Sequence, residues 1–246
     1  MRRYALRDDQ WERIEALLPV KPGDVGVMAK DNRLFVEAVL YRYRAGIPWR
    51  DLPERFGDVR VIYTRHMRWS LKGVWERIFN ALAADGDNEY AMIEATIVRA
   101  HQHAAGAKGG KSTKCIGKSK GGLTSKIHAS CDALGNPTAF YLTPGQMHDL
   151  RGSDVLLARI LADVKQFLAD KAYDAAKRVL DLLEQHDVEA VIPPRANRKE
   201  QRVYDEEAYK WRHLVENLFQ KLKQLKSDSH KIRQNSRCIL GGEYTS

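Results

Sequence analysis

The sequence predicts an all-helical domain followed by a mixed α/β domain. Apolar residues recur at three- and four-residue steps between residues 6 and 84, which is the pattern of amphipathic helices. From Tyr90 onward, short apolar runs alternate with helical stretches, which indicates a sheet with helices on its faces. We therefore expect a helical domain over 1–86, an α/β domain over 87–228 and an atypical C-terminal tail over 229–246.

Five helical segments, one of them short, make up the predicted first domain. The first ends at Pro19, because proline cannot continue a helix. The second runs over about 32–45 and stops at Gly46, a residue that commonly follows a helix end. The last two are separated from what precedes them by a turn at Gly57 and a break at Gly73.

The segment around Gly57 predicts a helix-turn-helix, because a short helix, a glycine turn and a basic helix follow one another. The residues expected to face DNA are Arg60, Thr64, Arg65 and Arg68. Those expected to pack inward are Val61, Ile62 and Trp69. The alternative is a plain helical bundle with a basic surface.

The charge, the cysteines and the apolar runs of the sequence indicate which kinds of partner and which compartment to expect. The net charge is +9 and the pI is about 9.4, which favours polyanions and nucleic acid first. Three widely spaced cysteines form neither a disulfide framework nor a zinc pattern. No apolar run approaches membrane-spanning length, and the N-terminus lacks the apolar segment of a signal peptide. We expect a cytoplasmic, nucleoid-associated protein with no membrane partner.

The apolar pattern of the second domain predicts, in order, three strands, a helix, a strand, a helix, a strand and a final helix. The first strand covers 91–98, and the next two form a hairpin with its turn at 134–136. A short apolar strand at 165–170 ends in an acid, and the final helix covers 209–223. This order is that of a ribonuclease H-like domain.

A basic loop interrupts this pattern. No acidic residue lies between Glu94 and Asp132, and we expect a flexible, glycine- and lysine-rich loop over 104–122. Lysines on such a loop can neutralise DNA phosphates without a fixed geometry. The candidates are Lys108, Lys111, Lys118 and Lys120. The alternative is a loop without a binding role.

Three acidic residues stand out as a candidate catalytic and metal-binding set. Glu94 interrupts the first strand, Asp170 ends the fourth, and Glu216 lies on the final helix. If the first and fourth strands are neighbours, the two strand acids lie side by side, and a helix packed across them can deliver the third. Three carboxylates at one point require a cation, and oxygen ligands suit Mg²⁺. We expect two Mg²⁺ ions, with Mn²⁺ as a substitute.

Several motifs carry a resemblance to a known family. The stretch "YKWRHLVENLFQKLK" contains Tyr, two residues, Arg, three residues, Glu, six residues and Lys. Together with "LADKAYDA" and "IEATIVRAHQHAAGAKGG", it resembles bacterial insertion-sequence transposases of the IS-four/IS-five group. The resemblance covers about residues 5–226. It implies a DDE-type transposase that uses Mg²⁺ to cut and join DNA at terminal inverted repeats, with transposon ends and target DNA as partners and a homodimer on DNA.

The resemblance also assigns roles to individual residues. Asp170 and Glu216 match the second and third metal ligands, and Glu94 stands at the first, where the family usually has Asp. Arg212 and Lys223 of the signature would hold DNA phosphates, while Tyr209 would stack on a base or bind a phosphate. If residues 209–223 form one helix, these signature residues lie along one side of it.

Three neighbouring positions leave alternatives open. Asp174 is a rival to Asp170 as the second metal ligand, but it stands where a helix N-cap is expected, so we assign it to capping. His148 and Asp149 are possible accessory residues at the border of the site. A purely structural turn is an equal alternative for these two.

Two departures from the family bear on activity. Glu94 replaces the usual Asp, so the alternative function is a catalytically impaired, DNA-binding relic. Residues 227–236, "SDSHKIRQNS", do not resemble the family's "RIATRYDKTA". One permitted set of codons for the first string spells the second when it is read one base later. We therefore expect a frame change near Lys226 and a loosely held C-terminus.

Overall fold

The computed structural model describes residues 5–19, 31–99, 115–198 and 201–227. The chain divides into two compact units, of which the first is Met1–Leu82 with Leu222–Ser246 and the second is Ala83–Lys221. Within the described ranges, no helix is both long and apolar enough to cross a membrane. The tail expected to be loosely held lies outside the described residues.

The first unit is helical, as predicted. Its helices are α1 (Asp8–Glu15), α2 (Asn32–Ala45), α3 (Val59–Leu71) and α4 (Val74–Ala83), the last of which ends at the unit boundary. The Asp31 side chain caps α2 by accepting a hydrogen bond from the Leu34 amide at 2.7 Å. Gly46 ends the same helix in the left-handed conformation at φ 65°. Phe35, Ile62 and Trp69 belong to the buried core that joins α2 to α3.

The predicted helix-turn-helix is only partly present. The helix before the turn is a single 3₁₀ turn, Glu54–Phe56, and Gly57 makes the turn at φ 91°. Asp58 caps α3 through the Arg60 amide. On α3, Arg60, Thr64 and Arg68 are exposed, while Ile62 and Trp69 are buried, as expected.

Two expectations for α3 are wrong. Val61 is 65% exposed and does not pack inward. Arg65 points inward, with its guanidinium 4.2 Å from the centre of the Phe35 ring and 4.8 Å from that of Trp69. It also donates a hydrogen bond to Asn32. Stacking on aromatic rings stabilises a half-buried guanidinium, so Arg65 packs in the core rather than facing DNA.

The second unit is a sheet with helices. Its strands are β1 (Tyr90–Arg99), β2 (Gly117–Ser119), β3 (Gly122–Cys131), β4 (Pro137–Pro144), β5 (Gln166–Leu168) and β6 (Glu189–Val191). Its helices are α5 (Asp149–Ile160), α6 (Asp181–Gln185), α7 (Glu206–Lys210) and α8 (His213–Ser227), and α8 extends past the unit's last residue. A π-helical turn, Ala176–Leu180, leads into α6.

The strand order is ribonuclease H-like, as predicted. Strand β1 lies between β3 and β5, and β6 follows β5 at the other edge. The β1–β3 and β3–β4 pairs are antiparallel, whereas β1, β5 and β6 run parallel. Helix α5 covers one face, where Ile93 and Phe167 join Leu156 and Leu157 in one buried cluster. The opposite face of β1 and β5 carries the strand acids.

The basic loop is shorter than the sequence indicated. Its predicted span, 104–122, contains strand β2 and the first residue of β3. Gly122, at φ 94°, allows the tight connection between these two strands. The Ser119 hydroxyl accepts a hydrogen bond from the Gly121 amide within the turn. Backbone pairing therefore orders the C-terminal end of this segment.

Candidate active site

The register of two neighbouring parallel strands gives Glu94 and Asp170 corresponding positions. Met92 of β1 is paired with Leu168 of β5, and each acid lies two residues beyond its paired neighbour. Glu94 is still within β1, whereas Asp170 stands just after the end of β5. The expectation that the first strand is the neighbour of the strand leading to Asp170 is therefore confirmed.

The backbone at each strand acid helps to fix its carboxylate. Asp170 begins the 3₁₀ turn Lys171–Tyr173, and its Oδ1 accepts a hydrogen bond from the Ala172 amide at 2.8 Å. Glu94 Oε1 accepts from the Ala95 amide at 3.0 Å. The Glu94 side chain is 23% exposed, so a charge lies within the sheet but remains open to a ligand.

The final helix is not continuous, which corrects the sequence prediction for residues 209–223. Helix α7 ends at Lys210 and α8 begins at His213. Between them, Trp211, Arg212 and Leu214 donate backbone hydrogen bonds three residues back instead of four. Trp211, at this break, is 53% exposed, whereas Val215, Leu218 and Phe219 on α8 are buried.

Arg212, between α7 and α8, connects Glu216 of α8 to Glu94 of β1. Its Nη1 donates to Glu94 Oε2 and its Nη2 donates to Glu216 Oε1, so one guanidinium bridges two carboxylates. The guanidinium also lies 5.7 Å from the centre of the Tyr209 ring. Burial lowers the pKa of Arg212, but Tyr209 and the two glutamates outweigh it, so the pKa lies above its usual value.

A tyrosine that the sequence patterns did not single out lies beside these acids. Tyr173 is 1% exposed, and its hydroxyl has no hydrogen-bond partner among the described residues. Burial raises the pKa of Tyr173, and the charges of Asp149, Glu94 and Asp170 raise it further. Within "LADKAYDA", Tyr173 follows Asp170 by three residues.

Asp174 does not cap a helix, which corrects its assignment. Its side chain is fully buried, and Oδ1 and Oδ2 accept hydrogen bonds from the guanidinium of Arg198 at 2.8 and 2.9 Å. Oδ2 also accepts from the Arg195 amide. Asp174 therefore ties the chain that follows β6 to the turn that follows Asp170. The carboxylate that caps a short helical turn is Asp170 itself.

His148 and Asp149 have structural contacts. His148 is the N-cap of α5, where its Nδ1 accepts a hydrogen bond from the Leu150 amide. Asp149 pairs with Lys126, whose Nζ lies 2.7 Å from Oδ1. Asp149 also raises the pKa of Tyr173 through its charge.

Among the lysines predicted to bind DNA, the three that the structure describes are exposed. Lys118 and Lys120 are exposed at the β2–β3 connection, and Lys223 is exposed on α8 beyond the last residue of the second unit. Lys108 and Lys111 lie outside the described residues.

Sequence-family models match both parts of the chain. The model described as "Putative transposase of IS4/5 family" matches residues 6–79. The model described as "Transposase DDE domain" matches residues 87–238, which is more than half of the chain. This chain belongs to the DDE transposases. The match extends past residue 227, into the segment expected to differ from the family.

Two curated relatives resemble parts of this transposase, and one of them is itself described as a putative transposase. An "Uncharacterized protein y4sN" of Sinorhizobium fredii is 49% identical over 106 residues, covering 43% of this chain and 85% of the relative. A "Putative transposase for insertion sequence element IS6501" of Brucella ovis is 30% identical over 119 residues, covering 48% of this chain and 91% of the relative.

Solved structures of Mos1 transposase also resemble this transposase at low similarity. A paired-end complex with the left transposon end has a TM-score of 0.30 and 13% sequence identity, and the match covers 92% of this chain and 88% of that one. The Mos1 catalytic domain has a TM-score of 0.30 and 13% identity, with coverage of 68% and 93%. The fold assignment rests on the strand order of this transposase and not on these similarities.

The acidic residues of the transposase suit a divalent cation by chemistry. Glu94, Asp170 and Glu216 offer only carboxylate oxygens, the donors that Mg²⁺ prefers. Within the described ranges, no three acidic, histidine or cysteine side chains are gathered closely enough to hold an ion. Positive charge is nevertheless already present, because the Arg212 guanidinium stands between Glu94 and Glu216.

Proposed function

We propose that this transposase binds the terminal inverted repeats of an insertion sequence and catalyses Mg²⁺-dependent strand cleavage and strand transfer. The observation that carries the proposal is the placement of Glu94 and Asp170 at corresponding positions in the register of two neighbouring parallel strands. The bridge from Arg212 to Glu94 and Glu216 supports the third acid as a member of the same group.

Each residue of the group has a proposed role. Glu94, Asp170 and Glu216 would hold two divalent ions, with Mn²⁺ able to replace Mg²⁺. Such ions stabilise the attacking and the leaving oxygen of a phosphodiester displacement. Arg212 would bind a DNA phosphate, because a guanidinium binds two oxygens at once. Tyr209, beside it, would contact a base or a phosphate.

Other residues would act on DNA outside the acid group. Lys223 on α8 and the lysines of the basic segment would neutralise DNA phosphates. Two transposon ends must be held together for strand transfer, so we propose a homodimer on DNA, with target DNA as the second substrate.

A catalytically impaired, DNA-binding relic is the second candidate function. Glu94 favours it, because its extra methylene displaces the carboxylate relative to the family's Asp. Misplacement of a reacting group by about 1 Å can lower a rate on the order of a hundredfold.

Cleavage of a supercoiled plasmid carrying the element's own ends tests the proposed function. We expect nicked or linear product with Mg²⁺ or Mn²⁺, and more product from Glu94→Asp than from the unmodified chain. Absence of cleavage in both proteins, with DNA binding retained, would favour the relic. A lower rate for Glu94→Asp would mean that the site is built around glutamate.

The exposed side of α3 is expected to bind DNA through phosphate contacts. Arg60 and Arg68 lie eight residues apart on this side, with Thr64 between them, so they form one polar line. Replacing both arginines with Ala should weaken binding and reduce the slope of log affinity against log salt by about one unit for each phosphate that is no longer neutralised. Fluorescence anisotropy with a labelled DNA duplex, at about 50 to 200 mM salt, measures this slope.

Arg65→Ala is the matched control for this face. Because Arg65 packs on Phe35 and Trp69, its removal should lower the melting temperature of the protein. It should leave the salt slope unchanged while the protein is folded. An unchanged slope in the Arg60 and Arg68 double variant, or a reduced slope in Arg65→Ala, would contradict this assignment of the DNA face.

A further inference from the structure

Arg212 holds an unusual position for a residue that is to bind DNA. Both of its terminal nitrogens already donate hydrogen bonds to carboxylates, one on Glu94 and one on Glu216. Its side chain is only 16% exposed. The partner Glu94 lies 118 residues away in sequence, so the bridge is a tertiary contact and not a by-product of helix geometry.

The bridge offsets part of the charge in a group of like charges. Glu94 lies on β1, Asp170 lies two residues beyond the end of the adjacent β5, and Arg212 attaches Glu216 to Glu94. The ion pairs that Glu94 and Glu216 form among the described residues are both with Arg212. Carboxylates close to one another repel, so this guanidinium stabilises the pair of glutamates by offsetting one of their two negative charges.

A divalent cation and Arg212 would bind the same two carboxylates. Arg212 already holds Oε2 of Glu94 and Oε1 of Glu216, and these carboxylates are the proposed metal ligands. Each carboxylate has a second oxygen, but a divalent ion bound there would stand close to the guanidinium, and two cations repel each other. Binding of the metal should therefore weaken the contact of Arg212 with at least one of the two glutamates.

We propose that Arg212 is an exchangeable counter-ion that competes with the divalent metal for Glu94 and Glu216. A DNA phosphate offers the released guanidinium the same bidentate geometry that a carboxylate does. Metal and DNA then both favour the state in which Arg212 is released from a glutamate. Each should therefore strengthen the binding of the other by the same factor. This proposal rests on the proposed function, because it takes the three acids as metal ligands and DNA as substrate.

Binding of Mn²⁺ alone, without DNA, tests the exchange. Isothermal titration calorimetry of the full chain should show that Arg212→Gln binds Mn²⁺ about tenfold more tightly than the unmodified protein, within the usual range of coupling between two bound groups. Arg212→Lys should be intermediate, because an ammonium is a point charge that cannot match the planar fork of a guanidinium. Either variant alone gives a result if the other does not fold.

Arg178→Gln provides the matched control. Arg178 forms a paired contact with Asp154 in the same unit, and both side chains are exposed, so its loss should leave the Mn²⁺ affinity unchanged. Equal or weaker Mn²⁺ binding by the Arg212 variants would overturn the exchange but leave the proposed function standing. Absence of Mn²⁺ binding in every protein, with each one folded, would overturn both.

Discussion

Asp170→Asn is expected to lower the rate of DNA cleavage by about a thousandfold or more while leaving the fold intact. A bound metal is worth several kcal/mol of transition-state stabilisation, and about 4 kcal/mol corresponds to a thousandfold in rate. Asparagine keeps the side-chain oxygen that accepts the Ala172 amide hydrogen bond, so the turn after β5 can still form. The change therefore removes the charge and preserves the local backbone.

The same plasmid-cleavage reaction, with Mg²⁺ and with Mn²⁺, measures this loss. Asp187→Asn is the control, because Asp187 is exposed and its φ of 56° is a conformation that asparagine tolerates. The control should cleave at the unmodified rate. Cleavage by Asp170→Asn at more than about a tenth of that rate would remove Asp170 from the proposed metal ligands.

Local patterns were sufficient for most of the fold. The limits of α2 were predicted as observed, because an N-cap residue and a left-handed glycine mark both of its ends. The corresponding positions of Glu94 and Asp170 follow from the pairing of β1 with β5. The sequence made this pairing a natural expectation, because each acid is attached to a short apolar run that reads as a strand. Such features depend on short stretches of sequence and on a topology with few alternatives.

The predictions that are wrong mostly concern residues whose contacts depend on other parts of the chain. Arg65 has the spacing of a DNA-facing side chain, but its packing on Phe35 depends on how α2 and α3 meet. Asp174 has the spacing of a helix cap, but its partner Arg198 lies 24 residues further along the chain. The break before α8 follows from hydrogen bonds three residues apart, which the apolar period does not distinguish from a regular helix.

The same limit applies to the candidate site. The sequence placed Arg212 with phosphates, and nothing in its spacing indicated that it would bridge Glu94 and Glu216. Nothing in the sequence distinguishes Tyr173 from an ordinary core tyrosine, and it is in fact buried. The carboxylates that raise its pKa come from residues far apart in the sequence, which only the fold brings together.

Asp174→Asn is expected to destabilise the protein by about 3 kcal/mol, because it breaks a buried ion pair and leaves Arg198 without its charged partner. The amide nitrogen that replaces one carboxylate oxygen is a donor and faces the donors of Arg198 or the Arg195 amide. The turn after Asp170 would then be attached to the chain that follows β6 chiefly by the hydrogen bonds that the Arg195 side chain donates to the carbonyls of Lys171 and Ala172. Urea denaturation followed by circular dichroism measures the free energy of unfolding.

The matched control for this loss is Asp154→Asn, which breaks an exposed pair with Arg178 and should cost less than about 1 kcal/mol.

The dependence of stability on pH gives a second check on the role of Asp174. Burial opposes ionisation of Asp174, but hydrogen bonds from Arg198 and Arg195 outweigh it, so the pKa of the carboxyl lies below its usual 3.8. The stabilisation by Asp174 is therefore complete well above pH 3.8 and is lost as the pH falls through the lowered pKa. The difference in stability between the unmodified protein and Asp174→Asn should shrink in that acidic range, and a difference that is equally small at neutral pH would show that the pair does not hold the turn.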